Sequence, residues 1–377
     1  MENQKSSVSS IKKERNSNFE LLRIVAMLLI VVFHAVYFGV RFENVSVDMG
    51  GGTNRFFSYF IRSFCGGVGN YCFMLISAWF VCEASFSVKR VFSIWRHVFF
   101  YSALIGLIFF VTKIPTIGFY DKSLFESAGF DAASKPAGKI DLIRSFLPIL
   151  MGNNWFATCY IVFYLFLPVL NKLLSVMDKK LHLYTVILMT VISTIISFVP
   201  GQGILHPTNF YYFVTAYFVS SYIKKYDPPV LQNSLRNILL AVVLCAAIGV
   251  WDCTMHFLSE RYGFFQKISR FTLMNGSLNK FPIFLASVLL FAGFSKLKIK
   301  TNRFINSVAS ATFGVYLIHV SGLFKIFVWH KILKCDLFAA SSLYPLYILA
   351  ASLIVFSACA VIDLFVYKPL EKLFWKK

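Results

Sequence analysis

Ten stretches of this chain are apolar over a length that crosses a lipid bilayer, at about 19–40, 57–82, 91–111, 155–174, 183–199, 210–223, 238–257, 281–294, 305–329 and 343–367. A hydrocarbon layer offers no water to satisfy backbone N–H and C=O groups, so long continuous runs of this kind fold as helices that bond within themselves. The pattern predicts an all-α, polytopic membrane protein of about ten transmembrane helices, with the short sixth and eighth runs open to tilt, extension or a re-entrant path.

No stretch between the runs has the length of a soluble domain, so residues 18–377 read as one integral membrane domain behind a polar tail of residues 1–17. The cations give the orientation. Lys12, Lys13, Arg15, Lys89, Arg90, Lys179, Lys180, Lys224, Lys225, Lys296, Lys298, Lys300, Arg303, Lys376 and Lys377 fall on the side of the N-terminus if ten helices are counted. By the positive-inside rule both termini are then cytoplasmic. The first run is too long for a cleaved signal peptide, and no small-residue cleavage site follows Phe38.

The chain carries 37 Lys and Arg against 17 Asp and Glu, a net charge of +20. In a soluble protein this would point to nucleic acid, but here the cations are spread over short loops beside the apolar runs, where membrane lipids and topology account for them. The eight cysteines form no CxxC pair and no metal-ligand spacing with histidine, so they read as small core residues and no metal is expected. No internal repeat and no Gly-rich phosphate loop is present; Gly50, Gly51 and Gly52 form an outer turn without a following lysine motif. Nothing in the sequence points to a nucleotide-driven pump. Two outer loops, Lys113–Arg144 and Asp252–Lys280, are longer than ordinary connections. Each reads either as a surface for a polar ligand such as a sugar or as a solvated cap.

The first run, NFELLRIVAMLLIVVFHAVYFG, carries three ionisable groups. Arg23 and His34 are 11 residues apart, which on a helix is about 20° of rotation and about 16.5 Å of rise, so they share one face. Glu20 is spaced to pair with Arg23 at i, i+3. The result is a polar stripe from the cytoplasmic interface to the outer half of the membrane. An ionisable group within the bilayer is expensive unless it faces protein or water, so His34 is a site residue unless an interhelical hydrogen bond alone explains it. Arg23 has the simpler alternative of snorkelling to headgroups.

R-x10-H in the first helix, with YCFMLISAWF (Tyr71–Phe80), NWFATCYIVFYLFLPVLN (Asn154–Asn171) and FGVYLIH (Phe313–His319) in that order, resembles the acyltransferase-3 family of bacterial integral membrane acyltransferases. The likeness covers nearly the whole chain. It implies acyl transfer from a cytoplasmic acyl-CoA, usually acetyl-CoA, to a hydroxyl of a cell-surface polysaccharide or lipid-linked glycan. It also implies a place in the bacterial cytoplasmic membrane, glycan-assembly proteins as partners, and acyl-CoA as a co-substrate with no bound cofactor. The family's first-helix pair falls on Arg23 and His34. Its R-x-x-R near the third helix does not: the chain has KRVFSIWRH, with Lys89, Arg90 and Arg96 at wider spacing.

The residue chemistry is consistent with that division of labour. Arg23, Lys89, Arg90 and Arg96 lie near cytoplasmic ends, where guanidinium groups suit CoA phosphates. Imidazole titrates at about 6.5, so His34 can take the proton of an acceptor hydroxyl, or else carry the acyl group itself. Carboxylates are scarce at mid-depth, which leaves Asn70, Ser77, Tyr160 and Tyr316 as neutral groups to orient His34 or steady an oxyanion. Trp155 joins them as a substrate-binding candidate. His319, deep in the ninth run and within FGVYLIH, reads either as a second site residue or as a structural histidine; His97, His182, His206, His256 and His330 read as lying at helix ends or in loops without a special role. A transporter or flippase for the glycan precursor is the alternative, but it needs no CoA-sized cationic site; a purely structural subunit explains neither His34 nor the stripe.

Overall fold

A computed structural model describes residues 16–40, 52–118, 134–198 and 209–375. The tail through Arg15 with Lys12 and Lys13, Gly50 and Gly51, residues 119–133 of the first long loop, His206, Lys376 and Lys377 lie outside the described residues.

Fifteen α-helices account for most of what is described: α1 (Ser17–Gly39), α2 (Gly52–Val81), α3 (Val88–Thr112), α4 (Lys139–Phe146), α5 (Trp155–Leu165), α6 (Leu167–Val176), α7 (Lys179–Thr190), α8 (Asn209–Tyr226), α9 (Ser234–Arg261), α10 (Gly263–Thr272), α11 (Phe281–Ser295), α12 (Arg303–Ser310), α13 (Thr312–His319), α14 (Tyr344–Ile362) and α15 (Lys368–Trp375). A two-residue antiparallel ladder, β1 (Pro115–Thr116) with β2 (Lys135–Pro136), is the extended element among these residues.

The helix starts follow from local chemistry. Asn16 accepts from the Asn18 N–H at the head of α1, Asp178 from Leu181 at α7, Asn233 from Arg236 at α9 and Asn302 from Ile305 at α12, at 2.7–3.0 Å. Each satisfies a donor that the first helical turn leaves orphaned.

Five helical stretches are long and apolar enough to cross a membrane: α1, α2, α3, α9 and Tyr344–Phe374. A sixth is added if α5 and α6, which meet at a 55° bend, are one crossing. The ten apolar runs are therefore not ten unbroken spans. The fifth run is α7 continued by a π turn at Val191–Ile195, and the ninth is divided into α12, α13 and a π turn at Phe327–Ile332. The sixth, α8, extends to 18 residues by ending on Lys224 and Lys225.

Two segments read as outer loops are partly helix. In the first, α4 runs antiparallel along α3: a Cβ at Gly106 would strike the Ser145 side chain, and the Phe146 ring lies 5.9 Å from Phe99. The chain thus descends to the middle of α3 before it turns through residues 147–154 into α5. In the second, Asp252 belongs to α9 and is 1% exposed, its carboxylate accepting from the Met274 and Asn275 N–H groups at 2.8 Å.

Helix α1 is shared by both main cores. Phe19, Leu22 and Ala26 pack with α2, α8 and α11, while Met27, Ile30, Val31, Ala35 and Val36 pack with α3, α13 and α14. Ser17 donates to Asn306 Oδ1 at 2.9 Å and Asn18 bonds the Leu297 carbonyl, which fixes its amino-terminal end. Large apolar side chains stay exposed on the outer faces of the long helices, such as Leu104, Leu107, Ile108 and Val111 on α3 and Leu239, Val242 and Val243 on α9. That is the distribution a hydrocarbon solvent calls for.

The α1–α2 crossing depends on small residues. A Cβ at Gly69 would stand 2.6 Å from the Ala26 carbonyl oxygen and 2.7 Å from Ile30 Cγ1. Gly69→Ala should cost about 1–3 kcal/mol of stability, read as a lowered thermal midpoint in detergent. Gly52→Ala, facing open space at the start of α2, should leave the midpoint unchanged; equal effects would mean that the close approach is not what holds the pair.

Candidate active site

The last two turns of α1 bring His34 beside His319, the final residue of α13. His34 Nδ1 lies 2.9 Å from His319 Nε2, a contact across 285 residues of sequence. His319 is fully buried, and its Nδ1 lies 2.6 Å from the Val315 carbonyl oxygen one turn below. A carbonyl only accepts, so His319 Nδ1 carries a proton. With both rings neutral, His319 Nε2 then has a lone pair and must accept from His34 Nδ1–H. One backbone carbonyl thereby sets two tautomers in series. What remains at His34 Nε2 is a lone pair.

That nitrogen has no hydrogen-bond partner among the described residues, and His34 lines a cavity of about 100 Å³. Ile30, Phe38 and Val320 give the cavity apolar walls, while Asn70, Asn153, Trp155, Tyr316 and Lys325 bring polar groups. Phe38 stacks on the His34 ring, with centroids 5.1 Å apart, and His330 Nε2 donates to the Phe38 carbonyl at 2.7 Å. Lys325 holds its ammonium 4.9 Å from the ring centre of Phe38, which is one helical turn beyond His34 on α1. A ring whose Nδ1–H is fixed on an acceptor behind it, and whose lone pair is in front, can take a proton from a group placed in the cavity.

The other sequence candidates separate. Asn70, Trp155 and Tyr316 line the cavity; Ser77 and Tyr160 are not among its lining residues. Tyr160 packs instead among Phe163, Tyr164 and Phe213. Arg23 bonds Glu20 at 2.8 Å, as the i, i+3 spacing requires, and its guanidinium lies 5.6 Å from the Phe80 ring centre. Arg90 lies over the Tyr164 ring, Lys89 is exposed, and Arg96 faces an apolar groove of about 470 Å³ between α3 and α4.

Three features were missed in the sequence. Asn153 and Lys325 sit in breaks between helices, where no periodicity marks a facing. The third corrects the reading of His97 as a helix-end residue: it lies within α3, buried, with Nε2 2.7 Å from Asp363 Oδ1. Tyr101 donates to the same oxygen at 3.1 Å, and the Tyr367 ring stacks on His97 at 3.7 Å. Asp363 heads a π turn, Asp363–Tyr367, and occupies the space that a Cβ on Gly314 would take. It therefore holds the base of α13 one residue before Val315. A π turn of this kind is a frequent companion of functional sites.

Residues 16–364 match the family model described as an acyltransferase domain, that of the acyltransferase-3 family. The match runs from the cap of α1 to Leu364, one residue past Asp363, and so contains His34, His319 and every residue lining the cavity. No curated protein and no solved structure matches the chain.

The tautomer chain is directly observable. In protein labelled with 15N-histidine, His34 should show a protonated Nδ1 and an unprotonated Nε2 near neutral pH, the reverse of the usual imidazole preference. His319→Leu should release it. A His34 protonated at Nε2 in the unaltered protein would refute the assignment.

Proposed function

The chain belongs to the acyltransferase-3 family, and on that premise we propose that it moves an acyl group, acetyl foremost, from a cytoplasmic acyl-CoA to a hydroxyl of a cell-surface polysaccharide or lipid-linked glycan. The observation that carries this reading is the His34 Nδ1–His319 Nε2 hydrogen bond of 2.9 Å, which leaves a basic nitrogen facing an internal cavity.

A hydroxyl is a poor nucleophile until a base removes its proton. His34 Nε2 takes that proton as the acceptor oxygen attacks the thioester carbonyl. The imidazolium so formed keeps its Nδ1–H on His319, and the bond strengthens as charge develops. Collapse of the tetrahedral intermediate expels the CoA thiolate, which recovers the proton from His34 Nε2. His319 acts through His34 and is a positioning residue in this scheme.

The donor's phosphates belong at the inner end of α1. Arg23 stands about 16.5 Å from His34 along the helix, and it retains guanidinium donors beyond the one engaged by Glu20. With Arg96, Arg90 and Lys89 of α3 it forms the proposed CoA grip, and the pantetheine arm follows the α1 face outward.

The broken helices are compatible with ten crossings and cytoplasmic termini in a bacterial cytoplasmic membrane. The Asx-capped starts of α1, α7, α9 and α12 then share the inner side, where water and anionic headgroups meet the cations. Glycan-assembly proteins are the expected partners on the outer side.

Membranes given radiolabelled acetyl-CoA should label a glycan fraction only when the protein is present. His34→Ala should lower labelling by about 10³-fold without reducing its abundance in the membrane. Arg23→Ala should raise the acetyl-CoA concentration needed for half-maximal rate, with poor rescue by lysine. No labelling from any acyl-CoA would overturn the function, and near-normal transfer by His34→Ala would make that residue structural.

The topology has its own test. Cysteines replacing Lys135 and Lys267 should react with an impermeant maleimide added outside, and one replacing Lys298 should not. External labelling at 298 would contradict the ten-crossing arrangement.

A further inference from the structure

The chain between α4 and α5 breaks at the depth of His34, and the break places the amino end of α5 at the cavity. Trp155, the first residue of α5, and Asn153 just before it both line the cavity wall. Asn154 occupies the cap position, yet its side chain makes no capping bond. The first N–H groups of α5 are thus left without the partner that such a residue usually supplies.

A second observation points to a ligand at the same place. Tyr316 is 6% exposed, lines the cavity, and its hydroxyl has no hydrogen-bond partner. Asn154 Oδ1 and Thr158 Oγ1, on the first turn of α5, are likewise buried without partners. An unsatisfied polar group in an apolar interior is costly, so it persists where a bound group completes it.

We propose that the Tyr316 hydroxyl and the uncapped amino end of α5 form an oxyanion hole facing His34. The proposal rests on the acyl-transfer reading above. As the acceptor oxygen attacks, the acceptor O–H bond breaks toward His34 Nε2 and the carbonyl π electrons move onto the thioester oxygen. That oxygen accepts from Tyr316 O–H and from an N–H of the first turn of α5, at the positive end of that helix. When the carbonyl re-forms, the C–S bond breaks and the thiolate takes the proton from His34. Donors fixed before the reaction act where charge develops and need no reorganisation.

The test replaces the oxygen on which the hole acts. Membranes carrying the protein are given acetyl-CoA or its dithioester analogue, in which sulfur stands for the carbonyl oxygen and accepts hydrogen bonds poorly, and thiol release is measured per folded protein. Tyr316→Phe should lower kcat with acetyl-CoA by roughly 10²-fold, with KM nearly unchanged, and should lower turnover of the dithioester by only a few-fold. Asn154→Asp, whose carboxylate occupies the free N–H groups, should show the same selective loss and covers the case in which Tyr316→Phe fails to fold. Equal losses with both substrates, or losses below about threefold in both variants, would overturn the oxyanion hole. Absence of thiol release by the unaltered protein would instead overturn the acyl-transfer reading beneath it.

Discussion

An imidazole can stay within an apolar helix bundle only if its polar edges are met, and the hydrogen bond from His34 to His319 meets one of them. The remaining arrangement depends on it. His319 must be held at the end of α13, which requires the Val315 carbonyl to be drawn toward it. The base of α13 must in turn be fixed, which Asp363 does by lodging against Gly314. On the other side α1 must present His34 at one height, which its Asn16 cap, its close crossing of Gly69 and the bonds from Ser17 and Asn18 secure. The free nitrogen is what these restraints leave over.

The interruptions in the helices serve the same end. An unbroken α-helix satisfies its own backbone and offers nothing at mid-depth except side chains. A broken one exposes N–H and C=O groups where it stops. The turn through residues 147–154 and the one after His319 both open beside the cavity, bringing Asn153, the start of α5, and Lys325 to His34. Irregular backbone at membrane depth is tolerated where it lines such a space.

Much of this was legible in the sequence, for identifiable reasons. The Arg23–Glu20 pair and the shared face of Arg23 and His34 follow from helical geometry alone. His319 and Tyr316 stand out by residue type at depth and by the FGVYLIH motif that contains them, and Asn70 by residue type alone. The pairing of His34 with His319 was not legible, because nothing local links positions 285 residues apart. Nor were the breaks. Runs 155–174 and 305–329 are apolar enough to read as single spans despite Lys172 and Lys325, and hydropathy does not register whether such a run bends. The role of α4 was hidden for the opposite reason, since KIDLIRSF is polar enough to pass for a surface turn although Ser145 and Phe146 pack against α3. His97 was misread because a position near the start of a run says nothing about a carboxylate arriving from the far end of the chain.

The contact between Asp363 and Gly314 also bears on how such a sequence is able to change over generations. The carboxylate stands where any side chain at 314 would begin, and its oxygen is shared by His97 and Tyr101. A larger residue at 314 is admissible only after 363 has been shortened, and shortening 363 strands the other two polar groups. Substitution at these four positions therefore has to proceed in step, as a single inherited block, and a set of related chains should show them varying together or not at all.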